Sequence, residues 1–130
     1  MYALFLRDHV VLARIGIHDF ERTAPQRLIV NVSLAIRGEA DGDVLSATTD
    51  YDFLRQRAAE IIASGHIGLQ ETFCQRMLEA CKGQPDVAAA LVSTEKPDVY
   101  PDADAVGCRM LWLETDADPA RIALLFGRAG

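Results

Sequence analysis

Four side chains in this sequence have types suited to moving protons or gripping a polar ligand: Glu21, Tyr51, Glu71 and Lys96. Lys96 stands directly before Pro97 and is one of two lysines against eleven arginines. An ammonium can lose a proton when desolvated, whereas a guanidinium effectively cannot, so a lysine kept at a sharp boundary points to a need for an amine. The competing reading is an exposed lysine beside a turn. Glu21 lies in the polar stretch IGIHDFER and, taken alone, reads as a solvated acid between Asp19 and Arg22. Tyr51 follows Asp50 at an expected helix start, where a phenol either reaches toward a neighbour or packs as an ordinary aromatic. Glu71 falls in the first turn of a second expected helix. An acid there offsets the helix dipole, and it also suits a planar amidine or guanidine edge with paired donors. Together the lysine, tyrosine and glutamate suggest general acid–base catalysis.

Other chemistries find no footing. His9, His18 and His66 are scattered without HxH or HxxxH spacing, and no Cys/His set has ligand spacing, so no metal site is expected. There is no P-loop and no GxGxxG, and Ser46, Ser64 and Ser93 lack a nucleophile-elbow setting. Cys74, Cys81 and Cys108 are odd in number and show no CxxC, which reads as reduced core residues of a cytoplasmic protein. A net charge of −6 and an isoelectric point of about 4.9, with no basic run, argue against nucleic acid or an anionic membrane as partner. No apolar run approaches a membrane span, and the N-terminus lacks a signal-peptide pattern.

The elements that must hold these residues follow from periodicity. The 130 residues suit one domain, with a core that is small for an isolated subunit. Tyr2 to Ile15 reads as a strand, bent or bulged at Arg7-Asp8-His9. Gly16 to Thr23 is polar and turn-like. Leu28, Val30, Val32, Leu34 and Ile36 then alternate over a long half-buried strand of an antiparallel hairpin. A Gly/Asp/Ser/Thr loop follows, from Gly38 to Thr49. With Asp50 as N-cap, a helix is expected over about Tyr51–Ser64, ended by Gly65. A second helix is expected over Leu69–Lys82, ended by Gly83. Val87–Thr94 and Val106–Glu114 read as strands, and Asp118-Pro119 opens a short terminal helix within the tail 116–130. The order ββααββ predicts an α+β domain, an antiparallel four-stranded sheet with two helices on one face. Strands this long in a small domain suggest that edges and the second face are covered by other copies.

The segments IGIHDFERTAPQ, TTDYDFL, GLQETF and EKPDVYPDADAVG, in this order and spacing, resemble the dihydroneopterin aldolase family from about Leu4 to Glu114. The resemblance implies the tunnelling fold, with subunits forming barrel rings, usually two stacked tetramer rings in an octamer, and active sites between adjacent subunits. It implies a pterin lyase of folate biosynthesis that cleaves 7,8-dihydroneopterin without metal or cofactor. It further implies that Glu21 lies beside the reacting side chain and Lys96, and that Lys96 is the acid–base group. Tyr51 would reach in from the neighbouring subunit to serve proton transfer and binding. Leu69 and Glu71 of the LxET motif would bind the substrate, Glu71 gripping the amino-pyrimidinone edge. Departures are Glu95 immediately before the lysine, His18 at a variable pocket-side position, and a slightly short loop before Tyr51. The alternatives are a dihydroneopterin or dihydroneopterin triphosphate epimerase on the same fold, and a non-catalytic pterin-binding subunit. A triphosphate would want clustered cations, for which only Arg22 and Arg27 are local candidates.

Overall fold

The computed structural model describes residues 1–127; the last three residues of the expected tail lie outside the described residues. Four strands run antiparallel in the order β1 (Tyr2–Ala13), β2 (Gln26–Ile36), β3 (Val87–Lys96) and β4 (Val106–Leu113). Two helices, α2 (Asp52–Ala63) and α3 (Gln70–Lys82), connect the halves. The period-two pattern of β2 is borne out: Leu28, Val30, Val32, Leu34 and Ile36 are all buried and face Phe73, Cys74, Met77 and Leu54 of the helices. Burial pushes the thiols of Cys74 and Cys81 up to about 12, so both behave as inert core residues. Among the described residues all three cysteines are free thiols.

The polar triplet in β1 is a bulge. Pairing with β2 shifts register between Leu6 and His9, Asp8 takes a positive φ of 53°, and its N–H donates to Asn31 Oδ1 at 2.8 Å. Other boundaries differ from expectation. The segment expected as a turn between β1 and β2 contains a one-turn helix, α1 (Asp19–Arg22). Strand β3 runs two residues past Thr94 and ends on Lys96, paired with Val106. A proline removes its own N–H from the ladder but leaves the preceding residue extended, so Lys96 can still pair. Tyr51, not Asp50, occupies the N-cap position of α2, while Asp50 Oδ1 accepts the Asp52 N–H at 3.0 Å.

Helix α4 (Pro119–Phe126) starts on Asp118, whose carboxylate accepts the Ala120 N–H at 3.0 Å. It packs through Ile122 on Ala35 and Ala89, whose chain neighbours Leu34 and Ala90 face the main core. Alternation along a strand therefore puts α4 on the sheet face opposite α2 and α3. Part of the second face is covered by the chain itself.

Candidate active site

The loop after β1 is drawn onto the connection between α2 and α3 by backbone bonds. Gly16 N–H donates to Ile67 O and Ile67 N–H to Arg14 O, each at 2.9 Å, forming an isolated parallel bridge with Ile15. His66 Nε2 donates to Gly16 O at 2.7 Å, leaving its buried Nδ1 without a partner. This pinned loop turns into α1 and delivers Glu21 inward. Gly16 makes the delivery possible: its φ is +138°, and a Cβ there would overlap the Glu21 carboxylate.

Glu21 is not the solvated acid its neighbours suggest. It is 7% exposed, and its Oε2 accepts from Lys96 Nζ at 2.8 Å. Gln26 Nε2 donates to the same oxygen at 2.9 Å, and the His18 N–H donates to Oε1 at 3.4 Å. Burial alone would push the Glu21 carboxyl up, but these three donors outweigh it and hold the carboxyl below the usual glutamate range. Lys96 is 8% exposed, so a buried ammonium faces a carboxylate that stays ionised. Glu95, on the opposite strand face, is not its partner.

Leu69 and Glu71 are exposed at the start of α3, Leu69 as its N-cap. Between them Gln70 reaches the strands: its Oε1 accepts the Thr94 hydroxyl at 2.7 Å, and its Nε2 donates to Val106 O at 3.2 Å. Thr94 and Lys96 share a strand face, two residues apart, so the α3 start adjoins the Lys96 end of β3. A Cβ at Gly107 would collide with Thr94 O, so glycine there lets β4 lie close beside that end.

Tyr51 is elsewhere. It is 59% exposed and lines a hollow of about 430 Å³ with Leu4, Val44 and Thr48, which contains none of Glu21, Glu71 or Lys96. Leu4 pairs with Leu34, and Leu34 with Ala90. Ala90 is six residues from Lys96 along β3, a separation of about 20 Å at roughly 3.3 Å per residue. One subunit thus joins Glu21 to Lys96, sets the Leu69–Glu71 turn beside the same end of β3 through Gln70, and holds Tyr51 at the other end of the sheet. Sequence reasoning did not single out Gln26, Gly16, His66, Gln70 or Thr94. The signals for them were motif membership alone: Gly16 and Gln26 bracket Glu21 within IGIHDFERTAPQ, and Gln70 lies within GLQETF.

What this arrangement can do is exchange a proton through an amine whose ion partner is fixed by two further donors, Gln26 Nε2 and the His18 N–H. Among the described residues no group of three or more His, Cys, Asp or Glu side chains is arranged to hold a metal ion. Among the described residues no helix is long and apolar enough to cross a membrane. A family model described as FolB, dihydroneopterin aldolase, matches residues 4–111. A solved dihydroneopterin aldolase from Burkholderia thailendensis, bound to guanine, is 38% identical with a TM-score of 0.76 over 86% of this chain and 90% of its own. The E. coli dihydroneopterin aldolase in complex with neopterin is 20% identical with a TM-score of 0.78, over 86% of this chain and 99% of its own.

Proposed function

The chain belongs to the dihydroneopterin aldolase family, the pterin lyases of folate biosynthesis, and we propose that it cleaves 7,8-dihydroneopterin by proton transfer through Lys96. The observation that carries this mechanism is the buried 2.8 Å contact between Lys96 Nζ and Glu21 Oε2, which joins two segments 75 residues apart in sequence. The dihydropterin ring already holds a C=N bond at the carbon that bears the side chain, directly adjacent to C1′. Removing the proton of the 2′-hydroxyl breaks the C1′–C2′ bond, releases glycolaldehyde and sends the electron pair into the ring as an enamine. Protonation at C1′ then yields 6-hydroxymethyl-7,8-dihydropterin. The protein has only to place acid and base, each positioned group contributing about 10²–10⁴-fold.

In this reading Glu21 orients Lys96 toward the substrate side chain, and Glu71, with the Leu69 end of α3, holds the ring. The Burkholderia relative is bound to guanine, whose amino-pyrimidinone edge presents the same paired donors as a pterin. Tyr51 comes from a neighbouring copy and delivers the proton to C1′. Its distance from Lys96 within one subunit supports a shared site, as do the open sheet edges. Among the described residues β1 pairs only with β2 and β4 only with β3, and Phe5, Leu12 and Leu111 are exposed. We read the chain, tail included, as one domain of a cytoplasmic homo-octamer of two stacked rings. Light scattering that returned a compact monomer at micromolar concentration would remove the shared site.

Incubation with 7,8-dihydroneopterin and chromatographic separation of the products tests the function. Equal amounts of glycolaldehyde and 6-hydroxymethyl-7,8-dihydropterin are expected. Formation of the 2′-epimer alone would make the chain an epimerase, and pterin binding without turnover would make it an idle subunit.

A further inference from the structure

We propose that Gln70 and Thr94 are positioning residues that set the spacing between the ring-holding carboxylate, Glu71, and the proton-transferring amine, Lys96. The inference rests on the reading of Glu71 and Lys96 given above. Helix α3 begins on Leu69, which makes no side-chain capping bond, so its first turn lacks the usual anchor. Gln70 supplies another. Its carboxamide is engaged at both ends, by the Thr94 hydroxyl of β3 at 2.7 Å and the Val106 carbonyl of β4 at 3.2 Å. A carboxamide bonded at both oxygen and nitrogen has one orientation, so the turn carrying Glu71 is fixed against both strands. Thr94 is 1% exposed, and Cys74 Sγ lies 3.6 Å from its hydroxyl, so that hydroxyl has no access to bulk water as a substitute partner. Glu71 is one residue from Gln70, and Lys96 is two residues from Thr94 on the same strand face. The Gln70–Thr94 hydrogen bond therefore closes a short route between the two functional groups, and the Gln70 contact to Val106, the residue paired with Lys96, runs beside it.

Losing this tie leaves Glu71 free to bind the ring but lets the bound side chain drift from Lys96. Displacements of about 1 Å at a reacting centre cost up to roughly a hundredfold in rate. Thr94→Val and Gln70→Leu are each expected to lower kcat by about ten- to a hundredfold per active site, with the dissociation constant for a simple pterin within about twofold of wild type. The double variant should lose no more than Gln70→Leu alone, because that change already removes the Thr94 bond along with the contact to Val106. Thr94→Ser keeps the hydroxyl and should restore kcat, a rescue that a role in packing alone would not give. Unchanged kcat in the single variants, additive losses in the double variant, or failure of serine to rescue would each overturn the proposal. A wild-type protein that neither binds nor cleaves dihydroneopterin would instead refute the function on which it rests, and the proposal with it. Wild-type turnover with unaffected variants sinks the positioning role alone.

Discussion

Glu21→Gln offers a sharp test of the site, because it changes one atom of a buried, fully engaged carboxylate. Three donors converge on that group: Lys96 Nζ at 2.8 Å, Gln26 Nε2 at 2.9 Å and the His18 N–H at 3.4 Å. An amide has one acceptor end, so its NH₂ must face at least one of these donors, and the Lys96 ammonium loses its counter-charge. Removing one partner of a buried pair costs about 3–5 kcal/mol. The lower end applies here, since the lysine retains a little exposure. A loss of about 3 kcal/mol moves a urea midpoint by about 1.5 M at a slope of about 2 kcal/mol/M. Protein concentration must be held fixed, because association adds to apparent stability. Lys96→Met and the double variant complete the cycle. The double variant removes both charges and should be more stable than the sum of single losses implies, by about 1–3 kcal/mol. A cost below about 0.5 kcal/mol for Glu21→Gln, or strict additivity, would refute the claim that this pair is buried and coupled. The same pair sets an acid limit. The folded-state pKa of Glu21 lies below its unfolded value, so its contribution is complete above the ordinary glutamate range. It drains away as pH falls through the folded-state value.

Gly16→Ala should destabilise by more than about 1 kcal/mol, read by thermal melting, since it combines φ +138° with a methyl placed on the Glu21 carboxylate; an unchanged melting temperature would argue against the cradle. Lys96→Arg keeps charge but not proton exchange near neutral pH, so turnover should collapse while pterin affinity changes little. Retained turnover would exclude Lys96 as the acid–base group. Glu71→Gln mismatches the paired donors of the ring and should weaken pterin binding by roughly 1.5–3 kcal/mol by calorimetry; equal affinity in the folded variant would take Glu71 out of the site. Tyr51→Phe should still release glycolaldehyde while hydroxymethylpterin formation falls, and parallel loss of both products would move Tyr51 to the bond-breaking step.

Local chemistry in the sequence determined a great deal. The five alternating apolar residues of β2 identify a half-buried strand with its inward face assigned, because side chains on a strand alternate with period two. The Arg7-Asp8-His9 interruption marks the bulge, and Asp118-Pro119 marks the start of α4, since both are decided by the backbone preferences of a few adjacent residues. Four short motifs in order were enough to identify the family. Only the tertiary structure decided that Glu21 is buried. Its neighbours Asp19 and Arg22 describe a solvated turn, and nothing local announces that Lys96, Gln26 and the His18 amide converge on its carboxylate. It also decided that β3 carries Lys96 to its last paired position, that Gln70 reaches across to Thr94, and that α4 turns to the opposite sheet face. The physical reason is common to these cases. Periodicity and capping depend on atoms close along the chain. The partner of a buried polar group depends on which distant segment packing brings within 3 Å, and a sequence read singly records no such distance.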